Sequence, residues 1–481
     1  MASISRHWKV LCFGGLGLVA AGMIKTCGTS FSTLTMSQVV PKNQANSAAS
    51  RIMPSSDQHD LIPLFSTRPP QQLLMIPNQT DTTMTRVNRW RAAMIASNVS
   101  SPLEHCAPTT QLQLQLHYND SSHDSMMVWI LQSLDEQGQQ KSVGGDEFYI
   151  SYRDHDHTGG GDATAVAIPT DLGDGRYLLD FATPPMVVAT HTNNDNMSLS
   201  DGSFGTLMVH VQYTCRIGRM TDPEKEDWNY GGFILGLTWH VPHVPAPPIR
   251  PFRMSTVDLS HYDAVICFGD SIMNNFCGRF WATFLYHVPN VHCAGNAGGA
   301  VALSTVEARN QQLQDWHGEL LDTSHHHNAT VALLLGSAAW DITEATQGSV
   351  QGRHFDDHIQ ACRLLIAYVR QHYPKVDIIW KSPQAMHVHV LKEGCMTNAQ
   401  CRHRTKYTSS SNVHHLHRRQ QALMEELGVP FIDLYEASYL SDSWMMAGDT
   451  RHYRKWLNKK MFSWSYPGLD MNKLPRFVVP K

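Results

Sequence analysis

The stretch Ala264–Ser271, with the sequence AVICFGDS, decides the fold class of the second half of the chain. Its five apolar residues run without a break and end in Gly-Asp-Ser, which is typical of a strand buried on both faces of a parallel sheet. The residues that follow, Ile272–Tyr286, are predicted to form a helix. A serine between such a strand and its helix presents its hydroxyl at the carboxyl edge of the sheet, where α/β proteins bind their ligands.

The same alternation of strand and helix continues to the end of the chain. After Ser260 the sequence predicts an α/β domain with a parallel sheet and helices on both faces. The predicted strands are Ala264–Phe268, Val291–Ala294, Thr330–Leu335, Val376–Trp380 and Pro430–Leu434. The predicted helices are Ile272–Tyr286, Ser304–Leu321, His354–His372 and Val413–Leu427.

The part of the chain before this domain has a different sequence pattern. From Cys106 to about residue 250, short strands with alternating polar and apolar residues are separated by turns rich in Gly and Asp, which predicts a β-sandwich. The sequence DLGDGRY at Asp171–Tyr177 predicts a turn that leads into a strand. Five prolines in Val241–Pro251 predict a stiff connector between this domain and the next.

The N-terminus carries one apolar segment. Val10–Ile24 has 15 residues without a formal charge, and basic residues flank it on both sides. That length lies between a signal-peptide core and a full membrane span. We expect residues 1–26 to be an uncleaved signal anchor, with a cleaved signal peptide as the alternative. Residues 27–105, rich in Ser, Thr, Asn, Gln and Pro, are predicted to be a stem or linker.

The composition excludes several classes of protein. The 481 residues include 38 Lys and Arg against 42 Asp and Glu, so the net charge of −4 offers no basic field for nucleic acid. A hydrophobic share of 42% supports a packed core. No second apolar run reaches the length of a membrane span, so the chain is not a polytopic transporter.

Sequons and cysteines agree with a chain in the secretory lumen. N-glycosylation is predicted at five Asn-x-Ser/Thr sites, namely Asn78, Asn98, Asn119, Asn196 and Asn328. Of the ten cysteines, Cys395 with Cys401 and Cys106 with Cys215 are the preferred disulfide pairs. Cys267 and Cys293, in strand-like runs, are interpreted as buried thiols.

Three residues form a candidate catalytic set. Ser271 is the candidate nucleophile, and Asp449 and His452 stand three residues apart in GDTRHY near the C-terminus. A serine nucleophile needs a base, and the base needs a group that orients it, so His452 would take the Ser271 proton while Asp449 fixes its tautomer. The alternatives are a Gly-Asp-Ser turn and an Asp449 that only caps the following helix.

Gly-Asp-Ser after a first strand and Asp-x-x-His about 180 residues later resemble the SGNH (GDSL-like) esterases, and within them the PC-esterase branch. That branch includes the trichome-birefringence-like proteins, the luminal domain of sialate O-acetyltransferase, and the neurexophilin and PC-esterase domain proteins. The resemblance implies a three-layer αβα catalytic domain at residues 256–481 and an immunoglobulin-like β-sandwich, of the neurexophilin or filamin type, at residues 106–250.

The resemblance also implies an oxyanion hole. Its candidate donors are the backbone N–H of Ser271, Gly298 or Gly299 after the second strand, and the side chains of Asn274 and Asn296. The third block of the family has Gly-x-Asn-Asp, whereas Leu335–Asp341 reads LGSAAWD and lacks that Asn, so Ser337 is a further candidate donor. His387 after the fourth strand either lines the pocket or is a structural histidine.

The expected function follows from these residues and the resemblance together. We expect an O-acetyltransferase of the Golgi or secretory-pathway lumen that acts on glycan or polysaccharide hydroxyls through an acyl-serine. It would need no metal or cofactor, with an acetyl donor such as acetyl-CoA as co-substrate. A carbohydrate acetylesterase with the same triad and a non-catalytic glycan- or protein-binding molecule stay open, as does secretion instead of a type II anchor. A separation of Ser271 and His452 well beyond hydrogen-bond reach would favour the binding molecule.

Overall fold

A computed structural model describes thirteen parts of the chain, all of them within the compact unit Ser56–Lys481. They are residues 71–75, 109–119, 126–142, 144–154, 163–185, 204–214, 233–277, 291–293, part of 311–321, 329–344, 354–390, 410–445 and 450–467. The apolar N-terminal segment and the predicted disulfide pairs lie outside these residues. So do the sequons, except that Asn119 ends a strand and its side chain is not described. No helix within the described ranges is both long and apolar enough to span a membrane.

The first half of the described chain forms one nine-stranded sheet. Its hydrogen-bonded order is β1-β2-β3-β6-β5-β4-β7-β8, antiparallel throughout, and β9 pairs with β6 in parallel. The strands are β1 (Gln71–Met75), β2 (Gln111–Asn119), β3 (Met126–Leu134), β4 (Glu147–Asp154), β5 (Ala165–Asp171), β6 (Arg176–Ala182), β7 (Phe204–Thr214), β8 (Phe233–Pro245) and β9 (Ile249–Arg250).

This sheet curls around a single core. In β2 the residues Leu112, Leu114 and Leu116 are fully buried, while the glutamines between them are partly exposed, as the period of two in a strand requires. Leu237 and Trp239 of β8 pack in the same core, although β8 lies at the other end of the sheet. The two ends of the sheet therefore face each other across the core.

The expected immunoglobulin-like sandwich is not what the strand pairing shows. One continuous path of hydrogen-bonded neighbours joins β1 to β8, rather than two separate sheets packed face to face. Alternation along the sequence locates individual strands, but the choice of neighbour depends on contacts between distant residues. The turn at Asp171–Tyr177 is confirmed: β5 ends and β6 begins there, and Gly173 and Gly175 adopt φ of 83° and 81°.

Two segments predicted as linkers contain strands. Gln71–Met75, inside the predicted stem, pairs with β2 over five residues. In the proline-rich connector, β8 continues to Pro245 and Ile249–Arg250 pairs with β6. β8 lies at the end of the strand order, Pro242 falls where its pairing with β7 shifts register, and Pro245 is its last residue, so neither proline removes an N–H from a central strand.

The second half of the described chain contains the predicted parallel sheet. Its five strands lie in the order β11-β10-β12-β13-β14, and every pair is parallel. They are β10 (Ala264–Gly269), β11 (Val291–Cys293), β12 (Val331–Gly336), β13 (Val376–Lys381) and β14 (Phe431–Ile432). The helices are α1 (Ser271–Cys277), α2 (Ala339–Glu344), α3 (His354–His372), α4 (Ser410–Leu427), α5 (Tyr435–Tyr439) and α6 (Lys455–Ser463).

Helices cover both faces of this sheet. Ile266 and Phe268 of β10 pack in one core with α3 and α4, while Val265 and Cys267 pack in a second core with α1 and α6. All six residues of β10 and of β12 are buried. The continuous apolar runs in the sequence therefore reflect strands buried on both sides, and the predicted three-layer α/β arrangement is confirmed for this sheet.

One cysteine prediction is wrong. Cys267 is buried, with 1% of its surface exposed, but it forms a disulfide with Cys277 at the end of α1. The helix folds back over the face of the strand that precedes it, which brings the two Cα atoms to 6.4 Å. The side chain of Cys293 is not described.

The antiparallel sheet contacts the parallel-sheet domain at helix α5. Arg250 of β9 forms ion pairs with Asp180 of β6 and with Glu436 of α5. The Tyr439 hydroxyl of α5 donates a hydrogen bond to the Phe148 carbonyl of β4 at 3.2 Å. The antiparallel sheet is thus packed against the parallel-sheet domain through buried and charged contacts.

We expect Leu333→Ala in the central strand β12 to lower the free energy of unfolding by about 2–5 kcal/mol, because it leaves a cavity in a closely packed core. Leu333 is fully buried, whereas Leu364 on α3 is 48% exposed, so Leu364→Ala is the matched control and should change stability by under about 0.5 kcal/mol. Denaturant unfolding of the two variants measures the difference, and equal losses would contradict this packing.

Candidate active site

Ser271 and His452 meet at the carboxyl edge of the parallel sheet. Ser271 is the first residue of α1, directly after β10 and Asp270. Its Oγ lies 2.8 Å from Nε2 of His452, although 181 residues separate the two in sequence. Both side chains are half-buried, so the pair is held by the protein and still reached by solvent. The distance and the atom pair suit proton transfer from a serine hydroxyl to an imidazole.

His452 lies in a short irregular stretch before α6. Beside it, the Tyr453 hydroxyl is fully buried and lies 2.9 Å from the Ala385 carbonyl oxygen and 2.9 Å from that of Ser438. Asn458 of α6 donates a side-chain hydrogen bond to the Tyr453 carbonyl. The residue next to the imidazole is therefore anchored to the loop after β13 and to α6.

The other predicted site residues lie outside the described part of the chain. They are Asp449, Asn296, Gly298 and Gly299, together with the side chain of Asn274. Their roles as orienting carboxylate and oxyanion donors stay predictions.

Asp270, beside Ser271, has a structural role that the sequence analysis does not predict. Its carboxylate is buried, and Oδ1 accepts hydrogen bonds from the backbone N–H groups of Ile272 and Met273. Oδ2 accepts from the N–H groups of Ala338 and Ala339 at 3.4 Å. The first pair is a helix cap, which an Asp before a helix could have indicated, but the second pair depends on the tertiary fold. One carboxylate thus ties the start of α1 to the loop after β12.

The strand ends at this edge approach each other very closely. A Cβ atom on Gly269 would lie 2.1 Å from the Gly336 carbonyl oxygen, so only glycine fits at the end of β10. The loop after Gly336 is held by Gln420 of α4, whose Nε2 donates to the Ser337 carbonyl at 2.8 Å. Trp380 Nε1 donates to Oε1 of the same Gln420.

Ser337 stands in the block that lacks the family asparagine. Its Oγ is buried and has no hydrogen-bond partner among the described residues. Such a donor is costly to leave unpaired in a protein interior. The Ser337 hydroxyl therefore stays a candidate for the missing donor.

Two ionisable groups are buried behind the site. His358 Nδ1 lies 2.6 Å from Asp341 Oδ2, and Gln420 Nε2 lies 2.8 Å from His358 Nε2. Burial alone would lower the pKa of His358, and the neighbouring Cys362 and Asp341 oppose that shift. On β13, burial lowers the pKa of Lys381 to about 8, and attraction to the Asp270 carboxylate opposes that shift.

His387 is a buried structural histidine, the second of the two interpretations of the sequence. It is fully buried between Tyr149 and Tyr453, with its ring edge-on to both. Burial, together with the neighbouring His389, lowers the pKa of His387 to about 3, which keeps the ring neutral. No group of three or more His, Cys, Asp or Glu side chains is placed to hold a metal ion in the regions that the structure describes.

No family model and no curated relative matches the chain. Among solved structures, a protein described as a GDSL-like lipase from Parabacteroides merdae has a TM-score of 0.29 and 15% identity, covering 44% of this chain and 98% of its own. A carbohydrate acetylesterase family member from Sinorhizobium meliloti has a TM-score of 0.28 and 15% identity, covering 42% and 93%. A protein described as an arylesterase from Agrobacterium tumefaciens has 0.29 and 17%, covering 42% and 96%. Similarity at this level does not say what this chain acts on.

We expect Asp270→Asn to lower the free energy of unfolding by about 1–3 kcal/mol, because the amide NH₂ would face backbone N–H donors at one of the two buried pairs. The same change at Asp258, an exposed carboxylate whose hydrogen bonds with the described residues all come from Ser260, serves as control and should leave the unfolding midpoint unchanged. Thermal unfolding at neutral pH compares the two. Equal midpoints for both variants and the parent would exclude this role of Asp270.

A second prediction concerns Lys381 and pH. Its folded-state pKa of about 8 lies below the ordinary value of 10.5, so the unfolded chain binds more protons between these values. The stability contributed by this group therefore rises with pH across that window, and below it the buried charge costs on the order of 3 kcal/mol. We expect Lys381→Met to be more stable than the parent at pH 7, with the gap closing towards pH about 10.

The exposed Lys375, just before the same strand, provides the control for removing one positive charge. Denaturant midpoints of the parent, Lys381→Met and Lys375→Met across the pH range make the comparison. A constant gap between the parent and Lys381→Met would mean that Lys381 does not titrate there.

Proposed function

We propose that this chain is an acyl-ester enzyme of the SGNH type with Ser271 as nucleophile, His452 as general base and acid, and Asp449 as the residue that orients His452. The observation that carries the proposal is the 2.8 Å contact between Ser271 Oγ and His452 Nε2. It lies at the carboxyl edge of the parallel sheet, where a ligand can reach it. A distance of this size does not favour the non-catalytic alternative.

The reaction proceeds in two steps through an acyl-serine. His452 Nε2 takes the Ser271 proton while Oγ attacks the acetyl carbonyl carbon. The bond from that carbon to the leaving group breaks, and the leaving group takes the proton from His452. In the second step a hydroxyl group gives its proton to His452 and attacks the acyl carbon, the bond from that carbon to Ser271 Oγ breaks, and Oγ takes the proton from His452. His452 Nε2 thus takes and gives one proton in each step, which needs the fixed pair of atoms seen here.

Negative charge develops on the acetyl oxygen in both steps. Donors aimed at that oxygen contribute about 3–4 kcal/mol each in related chemistry. The Ser271 backbone N–H, Gly298 or Gly299, and Asn274 or Asn296 are the proposed donors. Ser337, with its unpaired buried hydroxyl, is a further candidate in the block without the family asparagine.

The preferred acceptor is a glycan hydroxyl, which makes the enzyme an O-acetyltransferase. Acetyl-CoA or another activated acetyl ester would be the donor. If water replaces the glycan hydroxyl, the same residues form a carbohydrate acetylesterase. The resemblance to the PC-esterase branch favours transfer, and nothing in the Ser271–His452 contact distinguishes the two outcomes, because both pass through the acyl-serine.

The Cys267–Cys277 disulfide supports the proposed compartment. Structural disulfides persist in the secretory pathway and are rare in the reducing cytosol. We therefore keep the Golgi or secretory lumen as the proposed location, with residues 1–26 as a type II anchor or a signal peptide.

We expect incubation with p-nitrophenyl acetate to add the mass of one acetyl group to the chain and to release p-nitrophenol. The modified peptide should contain Ser271, and Ser271→Ala should abolish both signals because the nucleophilic oxygen is gone. Intact-protein and peptide mass spectrometry, with absorbance for p-nitrophenol, measure the two. Ser260→Ala, which changes an exposed serine in the same domain, is the control.

Adding candidate glycans to the acylated protein then separates the two reactions. Transfer moves the acetyl group to the sugar, whereas hydrolysis releases acetate at a rate that the sugar does not change. Acetylation that persists in Ser271→Ala would remove Ser271 from the nucleophile role. If the parent neither becomes labelled nor consumes the ester, the binding function takes precedence.

A further inference from the structure

We propose that the antiparallel sheet takes part in catalysis by holding His452 in place, with Tyr149 of β4 as a positioning residue that acts through Asp442. This inference rests on the proposed function, since it assigns a second sheet to the support of the same base. Tyr149 does not contact His452; it contacts the residues against which the His452 stretch is built. The connection runs in three steps from the imidazole to the sheet.

The first step concerns the backbone on either side of His452. Residues 450–454 form neither a helix nor a strand of the sheet, so neighbouring segments determine their path. Before His452, the Thr450 carbonyl accepts a hydrogen bond from the His387 N–H at 3.1 Å. After it, Arg454 N–H donates to the Trp444 carbonyl at 2.7 Å. The backbone on each side of His452 is therefore hydrogen-bonded to a short 3₁₀ segment or to the residue beside one.

These two segments are Val388–Val390 and Asp442–Trp444. They are joined by one side-chain pair, in which His389 Nε2 lies 2.9 Å from Asp442 Oδ2. Met445, next to the second segment, also forms an isolated bridge with Tyr453. The His389–Asp442 pair thus joins the two segments to which the backbone around His452 is hydrogen-bonded.

The third step connects the His389–Asp442 pair to the antiparallel sheet. The Tyr149 hydroxyl donates to Asp442 Oδ1 at 2.5 Å, and the Tyr149 ring stacks on the His389 ring with centroids 4.4 Å apart and planes 19° apart. Gln212 of β7 lies with Nε2 3.0 Å from His389 Nδ1. One tyrosine and one glutamine from adjacent strands therefore hold both members of the pair.

We call the cluster of Tyr149, Gln212, His389 and Asp442 the clamp. The charges on its members favour this one arrangement. Burial opposes ionisation of Asp442, but the hydrogen bonds that it accepts from His389 and Tyr149 lower its pKa, so the carboxylate stays charged. Burial and the neighbouring Asp442 raise the pKa of Tyr149 far above its ordinary value, so its hydroxyl stays a donor. With Asp442 Oδ2 accepting from His389 Nε2, the Gln212 amide is placed to hydrogen-bond the other ring nitrogen, Nδ1. Within the clamp, Asp442 accepts a hydrogen bond on each of its carboxylate oxygens, one from Tyr149 and one from His389.

The same interface contains a matched control. Tyr439 is buried like Tyr149 and also makes one hydrogen bond across the interface, from its hydroxyl to the Phe148 carbonyl. That bond touches neither His389 nor Asp442. Tyr149→Phe and Tyr439→Phe remove the same atom from the same interface, so a difference between them reports the clamp and not the loss of a hydroxyl.

The test compares the full-length parent with Tyr149→Phe, Tyr439→Phe and Ser271→Ala. Hydrolysis of p-nitrophenyl acetate gives kcat and KM, labelling by a fluorophosphonate gives the reactivity of Ser271, and thermal unfolding gives stability. We expect Tyr149→Phe to lower kcat about tenfold or more, since small displacements of a catalytic group cost up to about 100-fold. KM should be unchanged, and the labelling rate should fall in parallel with kcat. Tyr439→Phe should keep kcat within about twofold of the parent at a comparable unfolding temperature.

Gln212→Met is the second variant, in case Tyr149→Phe does not fold. It removes the donor to His389 from the other strand, and it should lower kcat and the labelling rate in the same way. Equal kcat for Tyr149→Phe and Tyr439→Phe, with Ser271→Ala inactive, would overturn the positioning role and leave the proposed function standing. A Ser271→Ala variant that is labelled and hydrolyses the ester like the parent would overturn the proposed function itself, and the positioning role with it.

Discussion

The hydrogen bond between Ser271 and His452 sets the main constraint on this structure. The two residues are 181 positions apart, and their side-chain atoms must meet within 2.8 Å. A parallel sheet meets this requirement because all of its strands end at the same edge, so loops from distant parts of the sequence converge there. Ser271 follows the first strand of the sheet, and His452 comes after the last. Everything between them forms the remaining strands and the helices that cover both faces.

Hydrogen bonds of buried polar groups hold the loops at that edge of the sheet in place. Asp270 accepts backbone hydrogen bonds from the start of α1 and from the loop after β12, which fixes two of the segments around the site relative to each other. Gln420 connects that loop to Trp380 and His358 in the interior. Buried polar groups are stable only when their partners are in place, so these contacts favour one arrangement of the loops over nearby alternatives. The close approach of Gly269 and Gly336 gives the edge little freedom to adjust.

The sequence predicts a separate β domain, whereas the antiparallel sheet is packed against the parallel-sheet domain. Alternating residues such as Leu112, Leu114 and Leu116 reveal the strands, and the turn at Asp171–Tyr177 was predictable from its glycines. The single curled sheet was not predictable, because strand pairing depends on which distant strands can cover each other's apolar faces. The contacts of Tyr149 and Gln212 with the parallel-sheet domain were likewise not predictable from the sequence. Both residues look like ordinary strand residues, and nothing near them in sequence indicates His389 or Asp442 as partners.

The sequence by itself determined the local features of this protein. Apolar runs such as Ala264–Phe268 marked buried strands, because burial on two faces removes the need for polar residues. Gly-Asp-Ser after the first strand and Asp-x-x-His near the end marked the candidate catalytic residues. The tertiary structure alone decided the Cys267–Cys277 disulfide, the second pair of hydrogen bonds at Asp270 and the clamp around Asp442. The physical reason is that periodicity records whether a residue is buried, whereas its contacts depend on how helices and sheets distant in the chain pack together.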